Sequence, residues 1–428
     1  MSRLALILVA IAACGVAGAE EGKHIGVATC ASTLCHGSAR PLDARAVLQN
    51  EYVTWSHFDP HSRAYRVLLE EKGVRIARRL GLESAHEAPE CLACHTDSVP
   101  AESRGERFLV SDGIGCESCH ASAQAWIATH DDAPSVSHAD NLAHGLRALE
   151  RPEVRAQVCV GCHVGDGKRF ASHAMMAAGH PRLAFELDTY TELWRTSGGR
   201  EHFRRDTDYV SRKGELAPVQ IWLAGLTAAT RRTARLVEQR IGASTGGFPD
   251  FALYNCYSCH RAMRLPAWEA TSNDEAPAPP GSLRLHDGHA RALLAVLEAT
   301  SPADAATLRR AQGSLHAAGG NVASVHAAGE ALDGALTAIQ QNMDRRKWTR
   351  SDLQAALDAL VAAAKRGAFA DYAAAEQAAM GMILLLAELG PDSSRTAAVE
   401  EMFQALADDA SFDSARFARA LALLKADE

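Results

Sequence analysis

Ten of the eleven cysteines fall into five close pairs, and a histidine follows each pair directly. Four pairs have the form C-x-x-C-H: Cys91-Leu92-Ala93-Cys94-His95, Cys116-Glu117-Ser118-Cys119-His120, Cys159-Val160-Gly161-Cys162-His163 and Cys256-Tyr257-Ser258-Cys259-His260. The first is stretched, Cys30-Ala31-Ser32-Thr33-Leu34-Cys35-His36, with four residues between its thiols. On a helical turn, positions i, i+3 and i+4 share one face, so two thiols and an imidazole converge. Such a trio can add its sulfurs to the two vinyl groups of one porphyrin while the imidazole reaches the iron as proximal ligand. The stretched pair must bulge to reach the same two vinyls. Zinc ribbons and disulfides also use close cysteine pairs, but neither requires a histidine after each of them. With 19 His in 428 residues, a His after all five pairs by chance is on the order of a 10⁻⁷ event.

Five haem c groups would need ligands on the far face of each iron, and fourteen histidines remain outside the motifs, ten of them between His24 and His202. His61 follows Asp59-Pro60, which reads as a helix start, with Tyr65 one turn on; His57 reads as a neighbour supporting it. His130 and His138 lie in a polar, Pro-interrupted stretch that a haem would give reason to order. His173 and His180 flank Met175-Met176 at a spacing of two helical turns, so both could serve haems on one side of a helix. These five are the distal candidates; His24, His144 and His202 are held in reserve. The paired methionines could ligate iron and raise its potential, but such a pair is more often packing. His86 reads as surface, and His286, His289, His316 and His326 as solvated helix positions in a cysteine-free tail.

The elements that must position these groups are helical. No strand periodicity is visible, and the expected class is mainly α: short helices and loops around stacked haems over residues 20–265, then a C-terminal α-helical bundle over 283–428. Sites two and three, close in sequence, are expected to be spatial neighbours. An amphipathic helix from about Pro218 to Gly242 carries Ile221, Trp222, Leu226, Ala229 and Leu236 near one face and is expected to space the fifth site from the rest. Residues 266–282, with Ala-Pro-Ala-Pro-Pro-Gly, read as a linker. Beyond it, Ser301-Pro302, Ser351-Asp352, Gly367, Gly390-Pro391 and Ser411 punctuate about five or six helices. Met380–Leu386 is too short to span a bilayer and reads as a buried helix face.

Residues 1–19 read as a signal peptide: a positive start at Arg3, an apolar stretch, and Ala17-Gly18-Ala19 before Glu20. Export to the periplasm is expected. Ile11-Ala12-Ala13-Cys14 also reads as a lipobox, which would leave a membrane-anchored lipoprotein lipidated at Cys14. The formal charge of -8, with no basic cluster, argues against nucleic acid as a partner.

The cysteine-bearing part resembles the multihaem cytochromes c related to the tetrahaem electron acceptor of hydroxylamine oxidoreductase. Carrying residues are Ile25 to Cys30, Asp59-Pro60-His61 with Ala64-Tyr65, Gly113-Ile114-Gly115-Cys116-Glu117-Ser118-Cys119-His120, and Gly179-His180-Pro181. The resemblance implies an exported electron carrier with mostly bis-His haems in close pairs, and His61 and His180 as distal ligands. Five motifs, the stretched first one and the helical tail depart from that pattern, so the redox partner proteins do not carry over. The leading expectation is an electron carrier with no acid-base residue. Its alternative is a multihaem oxidoreductase with one open, high-spin haem acting on a small nitrogen or oxygen species, with Arg63, Tyr65 or Arg182 above the iron. The tail could serve either as a docking module for a redox partner.

Overall fold

The computed structural model describes residues 22–41, 47–131, 136–188, 202–203, 206–241, 250–260, 284–318, 321–390 and 395–424. The signal segment, Cys14 and the linker 266–282 lie outside the described residues. Those residues form 18 α-helices and short 3-10 turns. Among them no strand forms, and extended backbone pairs only at two isolated bridges, His24 with Arg104 and Tyr254 with Leu285.

The first part is built of short helices whose starts are locally encoded. Pro89 and Pro152 open Pro89–His95 and Pro152–His163, where the missing N–H costs nothing. Ser172 caps His173–Ala177 by accepting from the Met175 amide. Apolar cores here are small: Leu68, Ala77, Ala85, Ala88 and Cys91 form one, and Ala156, Val160, Phe185 and Leu187 form another with Ile221, Ala228 and Ala229.

Pro218–Ile241 is the long helix the sequence announces, and all five expected apolar positions are buried. Its role differs from a spacer. Ile221, Ala228 and Ala229 face the motif-bearing helix Pro152–His163, while Val219, Trp222, Leu223, Leu226 and Val237 enter the core of the C-terminal bundle. The helix is a wall common to both halves. The bundle core therefore starts well before residue 283, because a helix apolar on two faces must be covered twice.

Among the described residues seven α-helices follow, where five or six were expected: Gly288–Thr300, Pro302–Ala317, Val322–Arg345, Arg350–Lys365, Tyr372–Leu389, Thr396–Ala405 and Ser414–Ala422. Starts read at Ser351 and Ser411 fall at neighbouring residues. Thr349 makes a capping box with Asp352, and Asp413 caps the last helix, since the cap must accept an amide from inside the first turn. Tyr372–Leu389 is long and apolar enough to cross a membrane by length and composition. It lies in the bundle core instead, with Gly381, Met382, Leu384 and Leu385 buried. Trp222 packs against Gly381, where an added Cβ would lie 2.1 Å from the indole Cζ2.

The tail histidines correct the sequence reading. His289 is buried and its Nε2 bonds the Phe185 carbonyl at 3.0 Å. His316 stands 3.3 Å from the buried Asp287 carboxylate. His326 alone of these is largely exposed, at 67% of its side chain. His289 and His316 answer to polar partners brought in from other segments, which periodicity along one helix does not register.

Candidate haem sites

The four C-x-x-C-H motifs take the turn their spacing requires. Three lie on α-helices, Pro89–His95, Cys116–His120 and Pro152–His163, and the fourth on a 3-10 turn, Cys256–Ser258, with the His260 amide bonded to the Cys256 carbonyl at 2.7 Å. The stretched motif reaches the same end differently. Cys30 closes the helix Val27–Cys30, the Cys35 amide turns back onto the Ser32 carbonyl at 2.9 Å, and the His36 amide bonds the Cys30 carbonyl at 3.2 Å. The two extra residues are absorbed in the turn, so first cysteine and histidine keep the backbone bond of the shorter form. All ten described thiols are free of disulfides.

Each motif histidine faces an imidazole from elsewhere in the chain. His36 faces His130 with ring centres 6.0 Å apart and planes at 11°. His95 faces His180 at 6.3 Å and 87°, and His120 faces His202 at 6.4 Å and 27°. His163 faces His61 at 6.0 Å and 83°, and His260 faces His173 at 6.1 Å and 36°. A metal–imidazole bond is about 2.0 Å and the nitrogen lies about 1.1 Å from its ring centre, so two imidazoles on one metal have centres about 6.2 Å apart. The spread of plane angles is compatible with this, because rotation about the axial bond leaves the spacing unchanged.

The ring nitrogens are set to match. Nδ1 of His95 donates to the Ala64 carbonyl at 2.7 Å, that of His163 to Ala184 at 3.0 Å, and that of His180 to Pro181 at 2.7 Å. A carbonyl can only accept, so these three rings carry their proton on Nδ1 and keep the Nε2 lone pair for a metal. His36 and His61 have carboxylate partners, Glu51 at 2.8 Å and Asp59 at 2.9 Å. Those hydrogen bonds raise both imidazoles above the ordinary histidine value. His120 is pushed down to about 3 by burial and then by its imidazole neighbours His202 and His36.

Of the distal candidates, His61, His130, His173 and His180 each stand opposite a motif histidine, as does the reserve His202. His138 does not: its Nε2 bonds Glu150 at 3.0 Å. It opens a helix capped by Ser137, with a first-turn geometry fixed by the capping box and not by any motif. His24 bonds Asp97 at 2.6 Å, and His144 bonds the Asp140 carbonyl at 2.7 Å. Neither faces a motif ring. Arg182 is committed to the bundle, pairing Glu376 at 2.8 Å and stacking over Tyr372 at 5.0 Å.

Thiols show how the first four sites adjoin. Cys30 lies within hydrogen-bonding reach of Cys116, and Cys94 of Cys162. Site one thus touches site three and site two touches site four, while the Asp97 amide bonds the Gly113 carbonyl at 2.8 Å and holds the segments flanking sites two and three together. The Arg169 guanidinium, 3.6 Å from the Cys162 sulfur, is held there by Asp166. Two supports were not singled out from the sequence. Glu117, inside the third motif and buried, accepts from the amides of Ile25, Gly26 and Ala123 at 2.7 to 2.9 Å, tying the N-terminal segment to site three. Arg147 donates to the Ser118 and Cys119 carbonyls, satisfying the end of the Cys116–His120 turn. Beside site four, Gly113 has φ 73, and a Cβ there would come within 2.7 Å of the His61 carbonyl, which also accepts from Ile114 at 3.1 Å. Only glycine lets that strand of chain hold the His61 loop so closely.

Residues 29–121 match the family model of cytochrome c554 and c-prime. The similarity is to c-type cytochromes, which hold haem covalently and transfer electrons, and the matched segment includes the first three motifs and Asp59-Pro60-His61. It spans under a quarter of the chain. No curated protein and no solved structure matches the chain. Two thiols, one adjacent imidazole and one facing imidazole are a donor set that fits an iron porphyrin at each position. Among the described residues no group of three or more His, Cys, Asp or Glu is arranged to hold a bare metal ion.

Proposed function

We propose that the chain is an exported pentahaem c-type electron carrier in which five facing pairs, His36 with His130, His95 with His180, His120 with His202, His163 with His61 and His260 with His173, each ligate one iron. Thioether bonds would come from Cys30 and Cys35, Cys91 and Cys94, Cys116 and Cys119, Cys159 and Cys162, and Cys256 and Cys259. The observation that carries the reading is the one-to-one match: every motif imidazole has one opposite, all within 6.0 to 6.4 Å. When bound, haem iron supplies a one-electron couple between ferric and ferrous.

The protein's part is to hold and tune. Nδ1 contacts fix the orientation of His36, His61, His95, His163 and His180 and leave their Nε2 for a metal. Carboxylates on His36 and His61 make those imidazoles better electron donors, which would favour ferric iron and lower the potential of haems held at sites one and four. A histidine on either side of each haem would leave no open position for a substrate, which favours a carrier over a reductase. Arg182, one of the three residues that could have served an open iron, is engaged elsewhere. Donor and acceptor would be redox proteins, reached across the periplasm.

Low-temperature electron paramagnetic resonance on the oxidised protein, with haem counted by pyridine haemochrome, tests this. Five haems per chain with low-spin signals only is the expected result. A stoichiometric high-spin signal that shifts with cyanide or nitrite would replace the carrier by an oxidoreductase.

A further inference from the structure

The fifth site is held differently from the other four. Among sites one to four, neighbouring thiols belong to other motifs, whereas Cys256 lies in the field of Asp409, Arg182 and Asp371, two of which are bundle residues. Its motif is a single 3-10 turn, Cys256–Ser258, among the described residues. Asn255 caps that turn by accepting from the Tyr257 amide at 2.9 Å, and its Nδ2 donates to Asp371 at 2.9 Å. Asp371 in turn caps Tyr372–Leu389 and pairs with Arg291. Backbone joins the turn to the segment that leads into Gly288–Thr300: the Asn255 amide bonds the Arg284 carbonyl at 2.8 Å and the His286 amide bonds the Leu253 carbonyl at 2.9 Å. Tyr257, inside the motif, meets Phe412 edge-on at 6.4 Å, and Phe412 is itself packed against Tyr372 at 5.7 Å.

The opposite imidazole comes from the haem-bearing half. His173 belongs to the same short segment that presents His180 to site two, and its amide donates to Asp250 at 2.9 Å, the residue that also caps the turn at Phe251–Leu253. One ligand of the fifth pair is therefore fixed by the haem half and the other by the bundle.

We infer that the C-terminal bundle is the socket of the fifth haem, with Asp371 and Phe412 as positioning residues that set the geometry of His260 against His173. This rests on the pairing proposed above. A role in socketing differs from partner docking, because the contacts run inward to the motif.

The test compares Phe412→Ala and Asp371→Asn with Leu336→Ala, a fully buried bundle residue outside the contacts described above. Each full-length protein is read by intact mass for haem per chain, by paramagnetic resonance and by potentiometric titration. In the first two variants one haem of five is expected to change its low-spin signal and midpoint or to be lost, the other four staying as in the parent. Leu336→Ala is expected to lower the melting temperature with all five haems unchanged. Unaltered haems in both Phe412→Ala and Asp371→Asn would overturn the inference, as would the same single-haem change in Leu336→Ala. His260→Ala in parallel separates the two readings: if it removes or alters no haem, the pairing of His260 fails, whatever the bundle variants do.

Discussion

Carboxylate contacts distinguish two of the five facing pairs. Glu51 on His36 and Asp59 on His61 sit where a conservative change alters hydrogen-bond strength without removing the ligand. Glu51→Gln and Asp59→Asn should each raise the midpoint of one haem by tens of millivolts, a tenfold change in the balance of a one-electron couple being about 59 mV. Spectroelectrochemical titration reads this; unmoved midpoints would show that these carboxylates do not tune the iron. The choice between His202 and His138 is equally direct. His202→Ala should convert one low-spin haem to high spin, and His138→Ala should leave the spectrum unchanged and loosen only the contact with Glu150. The reverse result would reassign the ligand of site three. At this scale the motif turns were legible because two thiols and an imidazole within a single turn encode their own geometry. The facing histidines were legible only as a pool: His202 and His138 both lie in polar stretches of the sequence, and what separates them is which other part of the chain each one meets.

Helices carry the next level of constraint. Gly381 lets Tyr372–Leu389 lie against the Trp222 indole, and Gly381→Ala should cost about 1 to 3 kcal/mol through overpacking, seen as a lower midpoint in chemical denaturation with unchanged slope. Unchanged stability would mean that the two helices can part without loss. The buried Asp287 accepts from Arg284, Arg291 and Gln312 and faces His316. Burial works against its charge, but Arg291 and the hydrogen bond with His316 hold its carboxyl well below the usual range. A depressed folded value means stability that is complete above the unfolded value, about 3.9, and lost as pH falls through the folded one. His289, pushed down to about 4 by burial and then His286, is neutral when folded and charged sooner when unfolded. Its contribution is complete above about 6.5 and declines as pH falls toward 4. Melts followed by far-ultraviolet circular dichroism should therefore show lower stability at pH 5 than at pH 7.5. Asp287→Asn should cost about 3 to 5 kcal/mol at neutral pH by stranding buried guanidinium charge. Helix ends in the bundle were largely readable from caps, yet its buried polar network was not, since Asp287, His289 and Asp371 have partners on other elements.

Across the whole molecule, Pro218–Ile241 is shared by the motif helix Pro152–His163 and by the bundle. Two halves with a common wall lose their packing together. Thermal unfolding followed in the Soret band and in the far ultraviolet should give coincident transitions, and two separated ones would mean independent domains. The haem arrangement also belongs to this scale. Thiol contacts link sites one with three and two with four, and the His173 to His180 segment links two with five.

The sequence by itself determined the five Cys-Cys-His motifs, the helical class and the pool of histidines from which their facing partners are drawn, because each rests on spacing within a few residues. Tertiary structure decided which imidazole faces which, the place of the long helix and the hold of the bundle on the fifth site. These depend on contacts between segments far apart in the chain, whose closure is set by packing of the whole and has no local signature.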